Sequence, residues 1–331
     1  MMRTVLDRFA PDPELEESLG LGLDRVEQAL LQAVQSKYEF VTEASQHLVE
    51  AGGKRFRPLL VLLASQFGDP SRVEVTMAAV VVELTHVATL YHDDVMDEAG
   101  VRRGQQTANA RWGNSVAILT GDFLFARASD ILADLGTDAV RIQARTFERL
   151  CTGQIRETIG PEASSDPVKH HLEVLADKTG SLIAASARFG AMMSGASDTI
   201  VEVVTEFGEL IGVAFQLADD IVDITSDSAQ SGKTPGIDLR EGVPTLAGLI
   251  ALGEDAPEDA RLRELLVRPL PNDAEHAEAL LLLRSHSALD QARAVARQWA
   301  DQAREVLSPL PAGAARDALE MLCDYVVTRT G

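Results

Sequence analysis

Apolar residues recur at intervals of three and four positions through most of the chain, which is the spacing of one face of an α-helix. The pattern is strong in LDRVEQALLQAV, in VEVTMAAVVVELTHVATLYHDDV and in VVTEFGELIGVAFQLADDIVD. The run VVVEL has the composition of a strand, but it lies inside a longer periodic segment without Gly or Pro, so we interpret it as buried helix. The pattern predicts an all-α protein.

Glycine and proline interrupt this pattern and divide the chain into about ten or more helices. The interruptions fall at 52–53, 68–70, 160–167, 232–242, 256–257, 269–271 and 309–313. None of them has the length of an interdomain linker, so we expect one helical domain over residues 13–331. Residues 1–12 precede the periodic pattern, and we expect them to form a disordered tip.

The composition and charge of the chain indicate mainly which partners and locations are unfavourable. Of the 331 residues, 46% are hydrophobic, which is enough for a large core, and the formal net charge is -21. A negative field repels phosphate backbones, so we expect no nucleic-acid partner, and any phosphate ligand must be captured locally. The two cysteines form no CxxC pair, and we expect neither a signal peptide nor a transmembrane helix. These features predict a cytoplasmic protein.

The pentapeptide pattern Asp-Asp-x-x-Asp occurs twice, each time inside an apolar helical stretch. Its members are Asp93, Asp94 and Asp97 in the first set and Asp219, Asp220 and Asp223 in the second set. On a helix the first and last aspartates of a set share a face, so each set gathers carboxylates on one stripe. Burying like charges this close together is unfavourable unless cations neutralise them. Such oxygen clusters suit Mg²⁺, which completes its coordination with water and substrate phosphates.

Basic residues flank the acidic sets in the sequence. They lie in Gly52-Gly53-Lys54-Arg55-Phe56-Arg57-Pro58, in Arg102-Arg103-Gly104 and in Gly232-Lys233-Thr234. Arginine binds phosphate oxygens through paired hydrogen bonds, lysine adds a point charge, and the glycines let backbone approach closely. The motifs indicate two diphosphate sites. One is held through metal by the aspartates, and the other is held without metal by Lys54, Arg57 and Arg103.

These motifs resemble those of the trans-isoprenyl diphosphate synthases, also called polyprenyl synthases. The resemblance rests on GGKRFRP at 52–58, HDDVMDEAGVRRG at 92–104, GDFLFA at 121–126, KTGSL at 178–182 and FQLADDIVD at 215–223, followed by Lys233. One acidic pentapeptide alone is a weak signal, because helices often carry acidic surface runs. The ordered set, which covers nearly the whole chain, is highly specific. It implies an isoprenoid-synthase fold, an all-α bundle around a central active-site cavity.

The resemblance implies a prenyltransferase that joins isopentenyl diphosphate to an allylic diphosphate in a head-to-tail reaction. About three Mg²⁺, bound by the six aspartates, clamp the allylic diphosphate between the two acidic helices. Diphosphate leaves, isopentenyl diphosphate attacks the allylic cation, and proton loss gives an all-trans product one five-carbon unit longer. The residues implied to hold isopentenyl diphosphate are Lys54, Arg57, His86 and Arg103. Those implied to contact the allylic substrate are Arg102, Lys178, Thr179, Gln216 and Lys233, of which Lys178 and Gln216 also stabilise the cation.

Product length in this family depends on bulk four and five residues before the first aspartate. Here these residues are the small Thr89 and Ala88, whereas short-chain members often carry an aromatic ring there. Along the same face Val81 lies roughly 18 Å below Asp93 at the helical rise per residue. We infer an open tunnel and a product of roughly thirty to fifty carbons, with the floor near 123–125 or 192–193. Ala88→Phe is expected to shorten the product.

In one place the chain departs from the family pattern, because Val243 stands where many members have lysine. We expect weaker anion binding at that edge. The homodimer of family members is implied for this chain, and a long product predicts peripheral membrane association at release.

Other functions remain as alternatives. A class I terpene cyclase also uses an aspartate-rich helix, but it needs no second, metal-free diphosphate site. A non-catalytic regulatory subunit of a heteromeric synthase typically lacks the acidic motifs, whereas both are present here. Within the synthases, a twenty-carbon geranylgeranyl diphosphate synthase stays open.

Overall fold

The computed structural model describes residues 12–226 and 235–328. Within these ranges the regular elements are helices, apart from two strands of two residues each, β1 (Val101–Arg102) and β2 (Gln105–Gln106). The all-α fold predicted from the apolar spacing is therefore confirmed. The run VVVEL lies in a helix, as predicted.

The described helices follow one another through short connections. In chain order they are α1 (Pro13–Ala33), α2 (Glu39–Glu50), α3 (Phe56–Ala64), α4 (Val73–Met96), α5 (Ala108–Trp112), α6 (Asn114–Leu135), α7 (Thr137–Ile159), α8 (Pro167–Leu175), α9 (Ser181–Met193), α10 (Asp198–Thr225), α11 (Ile237–Glu241), α12 (Leu246–Gly253), α13 (Ala260–Leu266), α14 (Asp273–Ser285), α15 (Ser287–Val306) and α16 (Ala314–Thr328). Short 3₁₀ turns cover Ser65–Phe67 and Pro257–Asp259, and a π turn, Ala176–Gly180, connects α8 to α9.

Several helices begin at side chains that satisfy the first free backbone N–H groups. The carboxyl groups of Asp12 and Asp166 accept from the N–H groups of Leu15 and Val168, and each helix then starts with proline. At the start of α14 the side-chain oxygen of Asn272 accepts from the N–H groups of Ala274 and Glu275. These are the sequence signals of a helix start. Of the predicted disordered tip, residues 1–11 lie outside the described ranges, and Asp12 is the N-cap of α1.

The chain forms two compact units, each assembled from three separate stretches. Among the described residues, the first unit comprises 12–147, 182–208 and 309–319, and the second comprises 148–181, 209–226 with 235–308, and 320–328. Helices α7, α9, α10 and α16 each contribute residues to both units. The first aspartate set belongs to the first unit, and the second set belongs to the second unit.

In the first unit α4 is the central helix, because α1, α3 and α6 all pack against it. Most of its residues from Val75 to Ala88 are fully buried, so its apolar residues occupy every side rather than one stripe. Helix α6 approaches α4 closely at Gly121, where a Cβ atom would collide with the His92 ring and lie 3.1 Å from Ala88 O. Glycine at this position lets α6 lie against the end of α4 that carries the aspartates.

In the second unit the core includes apolar side chains of α10, α12 and α15. On α10 the buried residues Val213, Leu217, Ile221 and Ile224 follow helical spacing. Asp219 and Asp223 lie off this stripe and are partly exposed. The core thus fixes which side of α10 presents the acidic set.

Among the described helices, α4 is long and apolar enough to cross a membrane by length and composition. Of its apolar window, 61% is buried inside the protein. A core helix passes the same test, and its packing within the first unit explains its apolar character.

Candidate active site

The first aspartate set lies where α4 ends. Asp97 is the C-cap of this helix, and its N–H donates to the carbonyl oxygen of Asp93 at 2.8 Å. Asp94 is completely buried, whereas the Asp97 side chain is 48% exposed and Asp93 is intermediate. The three carboxyl groups therefore differ in environment, with Asp94 inside and Asp97 at the surface.

Arg102 lies between carboxyl groups of this set. Its Nε donates to Asp94 Oδ1, and its Nη2 is 4.0 Å from Asp97 Oδ2. Burial raises the pKa of Asp94, and the guanidinium opposes that effect. Asp94 Oδ2 is also buried, and it has no hydrogen-bond partner among the described residues. A buried carboxylate oxygen without a donor, beside two further aspartates, fits a hard cation such as Mg²⁺.

A tight hairpin places Arg102 and Arg103. Strands β1 and β2 pair antiparallel, with Arg102 opposite Gln105, and the two residues between them have positive φ, 53° at Arg103 and 77° at Gly104. Positive φ at both central residues is the geometry of a type I′ turn. Helical spacing does not predict this hairpin, because two-residue strands leave no alternating pattern in the sequence.

The Gly52-Gly53 turn packs against Arg103. Arg103 Nη1 donates to Leu48 O at 3.0 Å and to Gly52 O, and its Cζ would lie 3.1 Å from a Cβ at Gly53. A side chain at position 53 would press on the guanidinium, and φ there is 157°. The structure therefore brings Arg103 to the turn that precedes Lys54.

His86 lies among the cations of the first unit. Burial and the positive charges of Arg57 and Arg103 lower its pKa well below the ordinary value. Its ring is therefore neutral at physiological pH and can donate one hydrogen bond. Lys54 is exposed and Arg57 is partly exposed. These side chains give the first unit an electropositive group suited to a small anion.

The second aspartate set is joined to other predicted site residues by hydrogen bonds. Thr179 Oγ1 donates to Gln216 Oε1 at 3.3 Å, and Gln216 Nε2 donates to Asp220 Oδ1 at 3.0 Å. Asp220 is 8% exposed. The structure thus connects two residues implied to contact the allylic substrate with a residue implied to bind metal.

Asp238 is a carboxyl group of this site that the sequence analysis did not select. Its N–H donates to Asp223 Oδ2 at 3.3 Å. Burial raises the pKa of Asp220, and the charge of Asp238 adds to the effect, so that this pKa is about 8. Burial and the charge of Asp223 raise the pKa of Asp238 to about 7. Carboxyl groups that raise one another's pKa in this way would be relieved by a divalent cation. The only signal in the sequence was an acid in the first turn of α11, which is a common position for one.

Lys178 and Thr179 lie in the π turn. Such turns inside helices are frequent at functional sites. Lys178 Nζ lies 2.6 Å from Glu157 Oε2 on α7, so a carboxylate missed by the sequence analysis holds the lysine. Helix α7 reaches the turn at Gly153, where a Cβ would lie 2.8 Å from Lys178 N. Arg149 also braces the turn, donating to Asp177 Oδ1 at 2.9 Å.

Consecutive histidines such as His170 and His171 predict surface positions, and for His171 this prediction is wrong. It is 9% exposed, because it lies on the inner side of α8. Its Nε2 is 3.8 Å from Asp220 Oδ2, and burial lowers its pKa to about 4. The adjacent His170 is only partly buried. Two consecutive histidines do not show by themselves which of the two is buried.

Other predicted positions are less directly placed. Lys233 lies outside the described residues. Val243 is partly buried, and its N–H donates to Asp238 O at 2.8 Å. Ala88 is completely buried near Gly121, whereas Thr89 is partly exposed and its hydroxyl donates to His86 O at 2.8 Å. The roles of Ala88 and Thr89 in chain length stay predictions.

A further cluster, Glu254, Asp259 and His286, has the composition of a metal site. His286 Nδ1 accepts from the N–H of Ala288 at 3.1 Å and caps α15. A neutral imidazole with Nδ1 accepting carries its proton on Nε2, which lies 3.2 Å from Asp259 Oδ2. Nε2 then donates to the carboxylate rather than binding a cation, so we interpret this cluster as a helix cap.

Comparison with known proteins agrees with this geometry. Residues 38–283 match the sequence profile of the family described as Polyprenyl synthetase. The chain is 52% identical over 311 residues to the nonaprenyl diphosphate synthase of Mycobacterium tuberculosis, covering 94% of this chain and 93% of that protein.

Solved structures show the same relationship. The geranylgeranyl pyrophosphate synthase of Corynebacterium glutamicum, complexed with calcium and isoprenyl diphosphate, matches with a TM-score of 0.88 and 45% identity over 97% of this chain and 99% of that one. The decaprenyl diphosphate synthase of Rhodobacter capsulatus matches with a TM-score of 0.87 and 32% identity over 96% and 99%. The chain therefore belongs to the polyprenyl synthetase family and is a prenyltransferase.

Proposed function

We propose that this enzyme is a Mg²⁺-dependent trans-polyprenyl diphosphate synthase that adds isopentenyl diphosphate to an allylic diphosphate and makes a long-chain product. The observation that carries the proposal is the chemistry of the two aspartate sets. Each contains one buried carboxyl group whose pKa is raised, beside partly exposed carboxyl groups of the same set. Such sets suit divalent cations that also bind diphosphate.

Asp93, Asp94 and Asp97 would hold metal in the first unit, and Asp219, Asp220 and Asp223 would hold it in the second. When bound, Mg²⁺ supplies positive charge that stabilises the departing diphosphate. The carboxylates must be ionised to bind it, so binding is coupled to proton release from Asp220. Arg102, already paired with Asp94, would turn one of its remaining donors towards the allylic diphosphate.

Isopentenyl diphosphate would be held without metal by Lys54, Arg57, Arg103 and His86. Arg103 uses Nη1 for backbone carbonyls, which leaves its other nitrogens for phosphate oxygens. Neutral His86 would donate one hydrogen bond without adding to the repulsion among the arginines. Binding by fixed cations holds this substrate in place while the allylic partner ionises.

In the second unit Lys178, Thr179 and Gln216 would face the allylic substrate. Gln216 Oε1 and the hydroxyl of Thr179 are oriented by the hydrogen bond between them, and such fixed dipoles stabilise developing positive charge. Lys178 would exchange its contact with Glu157 for a diphosphate oxygen. The proton lost after condensation would pass to the released diphosphate, since no base among the described residues is assigned to it.

Product length, assembly and location complete the proposal. The related nonaprenyl and decaprenyl synthases are named for long products, which supports thirty to fifty carbons for this chain, whereas the related geranylgeranyl synthase keeps the twenty-carbon alternative open. We also propose a cytoplasmic homodimer that associates with membranes when it releases product. Light scattering tests the dimer, and flotation with phospholipid vesicles during turnover tests the association.

The decisive experiment supplies farnesyl diphosphate, labelled isopentenyl diphosphate and Mg²⁺, with products weighed by mass spectrometry. A ladder ending at thirty carbons or more is expected. A stop at twenty carbons would make the chain a geranylgeranyl synthase, and no incorporation with any allylic starter would favour a regulatory subunit. The variant with Asp93→Asn and Asp97→Asn should be inactive, whereas Asp130→Asn, at an exposed aspartate of the same unit, should behave as wild type.

A further inference from the structure

Arg55 differs from the other basic residues of the Gly52 to Pro58 segment. It is 4% exposed, whereas Lys54 is exposed and Arg57 is partly exposed. Its backbone has φ 47° and ψ 38°, the left-handed conformation that residues other than glycine rarely adopt. Such a conformation persists only where the surroundings hold it.

Hydrogen bonds of the Arg55 side chain stabilise this backbone conformation. Nε donates to Glu27 Oε1 at 2.5 Å, and Nη1 donates to Glu83 Oε1 at 2.8 Å. Nη2 donates to Glu27 Oε2 at 3.2 Å and to Val49 O at 2.8 Å. Four of the five N–H donors of the guanidinium are therefore used inside the protein. With its side chain buried and most of its donors used, Arg55 is not placed as a diphosphate ligand.

The partners of Arg55 lie on three helices of the first unit. Glu27 belongs to α1, Val49 to α2 and Glu83 to α4. Glu83 lies one turn before His86 on α4, and Asp93 lies further along the same helix. The pair of Arg55 and Glu83 thus connects the segment that carries Lys54, at the start of the helix that carries Arg57, to the helix that carries the first aspartate set.

This arrangement has a consequence for two-substrate chemistry. Condensation needs the reacting carbons of both substrates within contact distance, and a displacement of about 1 Å lowers such rates strongly. The position of Lys54 and Arg57 relative to α4 decides where a diphosphate bound to them lies. Arg55 connects this segment to α4 through charged hydrogen bonds, which are stronger than neutral ones.

We propose that Arg55, held by Glu27 and Glu83, is a positioning residue that sets the place of the isopentenyl diphosphate cations relative to the first aspartate set. The inference rests on the proposed function. It assigns Arg55 no contact with substrate and predicts a selective effect on one substrate.

The test compares wild type with a variant that neutralises the whole cluster, Arg55→Met with Glu27→Gln and Glu83→Gln. Arg55→Met alone would leave the buried carboxylate of Glu83 without its partner. Neutralising all three residues avoids an unpaired charge in the interior. The expected result is a rise of about tenfold in KM for isopentenyl diphosphate, with KM for farnesyl diphosphate within about twofold of wild type. Circular dichroism confirms folding, and Arg141→Met, at an exposed arginine paired within its own helix, is the matched control.

Glu83→Gln alone is the second variant, because it keeps the Glu27 pair and weakens the connection to α4 from a charged hydrogen bond to a neutral one. It should also raise KM for isopentenyl diphosphate selectively, by about fivefold. Unchanged KM values in folded variants, or an equal rise for both substrates, would overturn the role of Arg55. If the wild-type enzyme itself showed no turnover, this result would instead overturn the proposed function. Faster hydrogen exchange of amides 52–57 in the variant would then still show that Arg55 braces the turn.

Discussion

The ring of His171 lies against the carboxyl group of Asp220, with Nε2 3.8 Å from Oδ2. The other oxygen, Oδ1, accepts from Gln216 Nε2 at 3.0 Å. His171 Nε2 is buried and has no hydrogen-bond partner among the described residues. A small movement of either side chain would let the neutral ring donate to Asp220, so the carboxylate can be oriented from both sides.

His171→Phe is therefore expected to weaken metal binding. The phenyl ring keeps the buried bulk but cannot orient Asp220, and loss of such a partner typically costs about tenfold or more in metal affinity. The Mg²⁺ concentration for half-maximal turnover should rise by about that factor, with KM for isopentenyl diphosphate unchanged. The matched control is His170→Phe, at the less buried neighbour, and an equal Mg²⁺ requirement in both variants would contradict the role of His171.

His86 should make stability depend on pH. Its folded pKa lies well below the ordinary value near 6.5, because burial and the neighbouring arginines disfavour the charged ring. The unfolded chain then binds a proton that the folded chain does not, so this contribution is complete above pH 6.5 and falls as pH decreases below it. The slope for one such group is at most about 1.4 kcal/mol per pH unit.

Urea unfolding between pH 7 and pH 5 measures this effect. His86→Gln should lose less stability over that interval than wild type, because glutamine does not titrate. His47→Gln, at a partly exposed histidine on α2, serves as the control. Parallel pH profiles for wild type and His86→Gln would show that the ring does not stay neutral in the folded protein.

The sequence predicted the helices of this fold well, because helical spacing is a local property. VVVEL was correctly assigned to a helix, and most Gly and Pro breaks coincide with helix ends. The left-handed backbone of Arg55 and the I′ turn at Arg103 and Gly104 were not predictable. Both depend on partners distant in sequence, such as Glu27 and Leu48, which spacing along the chain does not reveal.

The same limit applied to the site. Repetition of Asp-Asp-x-x-Asp selected both aspartate sets, but it could not show that Asp94 and Asp220 are the buried members. Asp238 and Glu157 were missed because a single acid on a helix is usually a surface residue. Only the fold brings Asp238 to Asp223 and Glu157 to Lys178.

Asp238→Asn should stabilise the metal-free protein at alkaline pH. The pKa of Asp238 is raised to about 7 by burial and by Asp223, so the folded chain binds this proton more tightly than the unfolded chain. The resulting stabilisation is complete below pH 4 and is lost as pH rises through 7. Asparagine carries no charge and avoids that loss, so its melting temperature in EDTA should exceed that of wild type at pH 8 but not at pH 5.

Mg²⁺ should reverse the order of the melting temperatures of wild type and Asp238→Asn. Cation binding neutralises the crowded carboxyl groups of wild type, and it should raise the melting temperature of wild type more than that of Asp238→Asn. Asp273→Asn, at an exposed aspartate of the same unit, should follow wild type in both conditions. An equal shift with Mg²⁺ in all three proteins would remove Asp238 from the site.

Ala88 and Thr89 should respond differently to phenylalanine. Ala88 is completely buried near the close contact with Gly121, so a ring there is expected to cost about 1–3 kcal/mol of stability through overpacking. Thr89 is partly exposed and its substitution removes only a hydrogen bond to His86 O. Thr89→Phe should therefore remain stable and shorten the product, as the tunnel hypothesis requires.

Mass spectrometry of the products, with thermal unfolding beside it, separates these effects. Thr85→Val tests the wall further down, where Thr85 Oγ1 accepts from Gln143 Nε2 at 2.8 Å, and it should leave the longest product unchanged because valine adds no length. If neither phenylalanine variant changed the ladder of products, the tunnel would not follow this face of α4.

Val243→Lys should strengthen binding of the allylic substrate. Val243 follows Gly242 at the end of α11, and its N–H donates to Asp238 O at 2.8 Å, so a lysine there would begin beside the acidic group of Asp223 and Asp238. An added cation near that group favours a diphosphate that the metal also binds. KM for farnesyl diphosphate should fall by about threefold, an effect of less than 1 kcal/mol.

The matched control is Val267→Lys, because Val267 is 69% exposed and belongs to the same unit. It adds the same charge to the protein, so it reports any general change in the attraction of anions. A fall in KM for both variants would assign the effect to net charge, and unchanged KM in Val243→Lys would show that this position does not contact the allylic diphosphate. A fall confined to Val243→Lys would show that position 243 lies close enough for an added cation to favour that diphosphate.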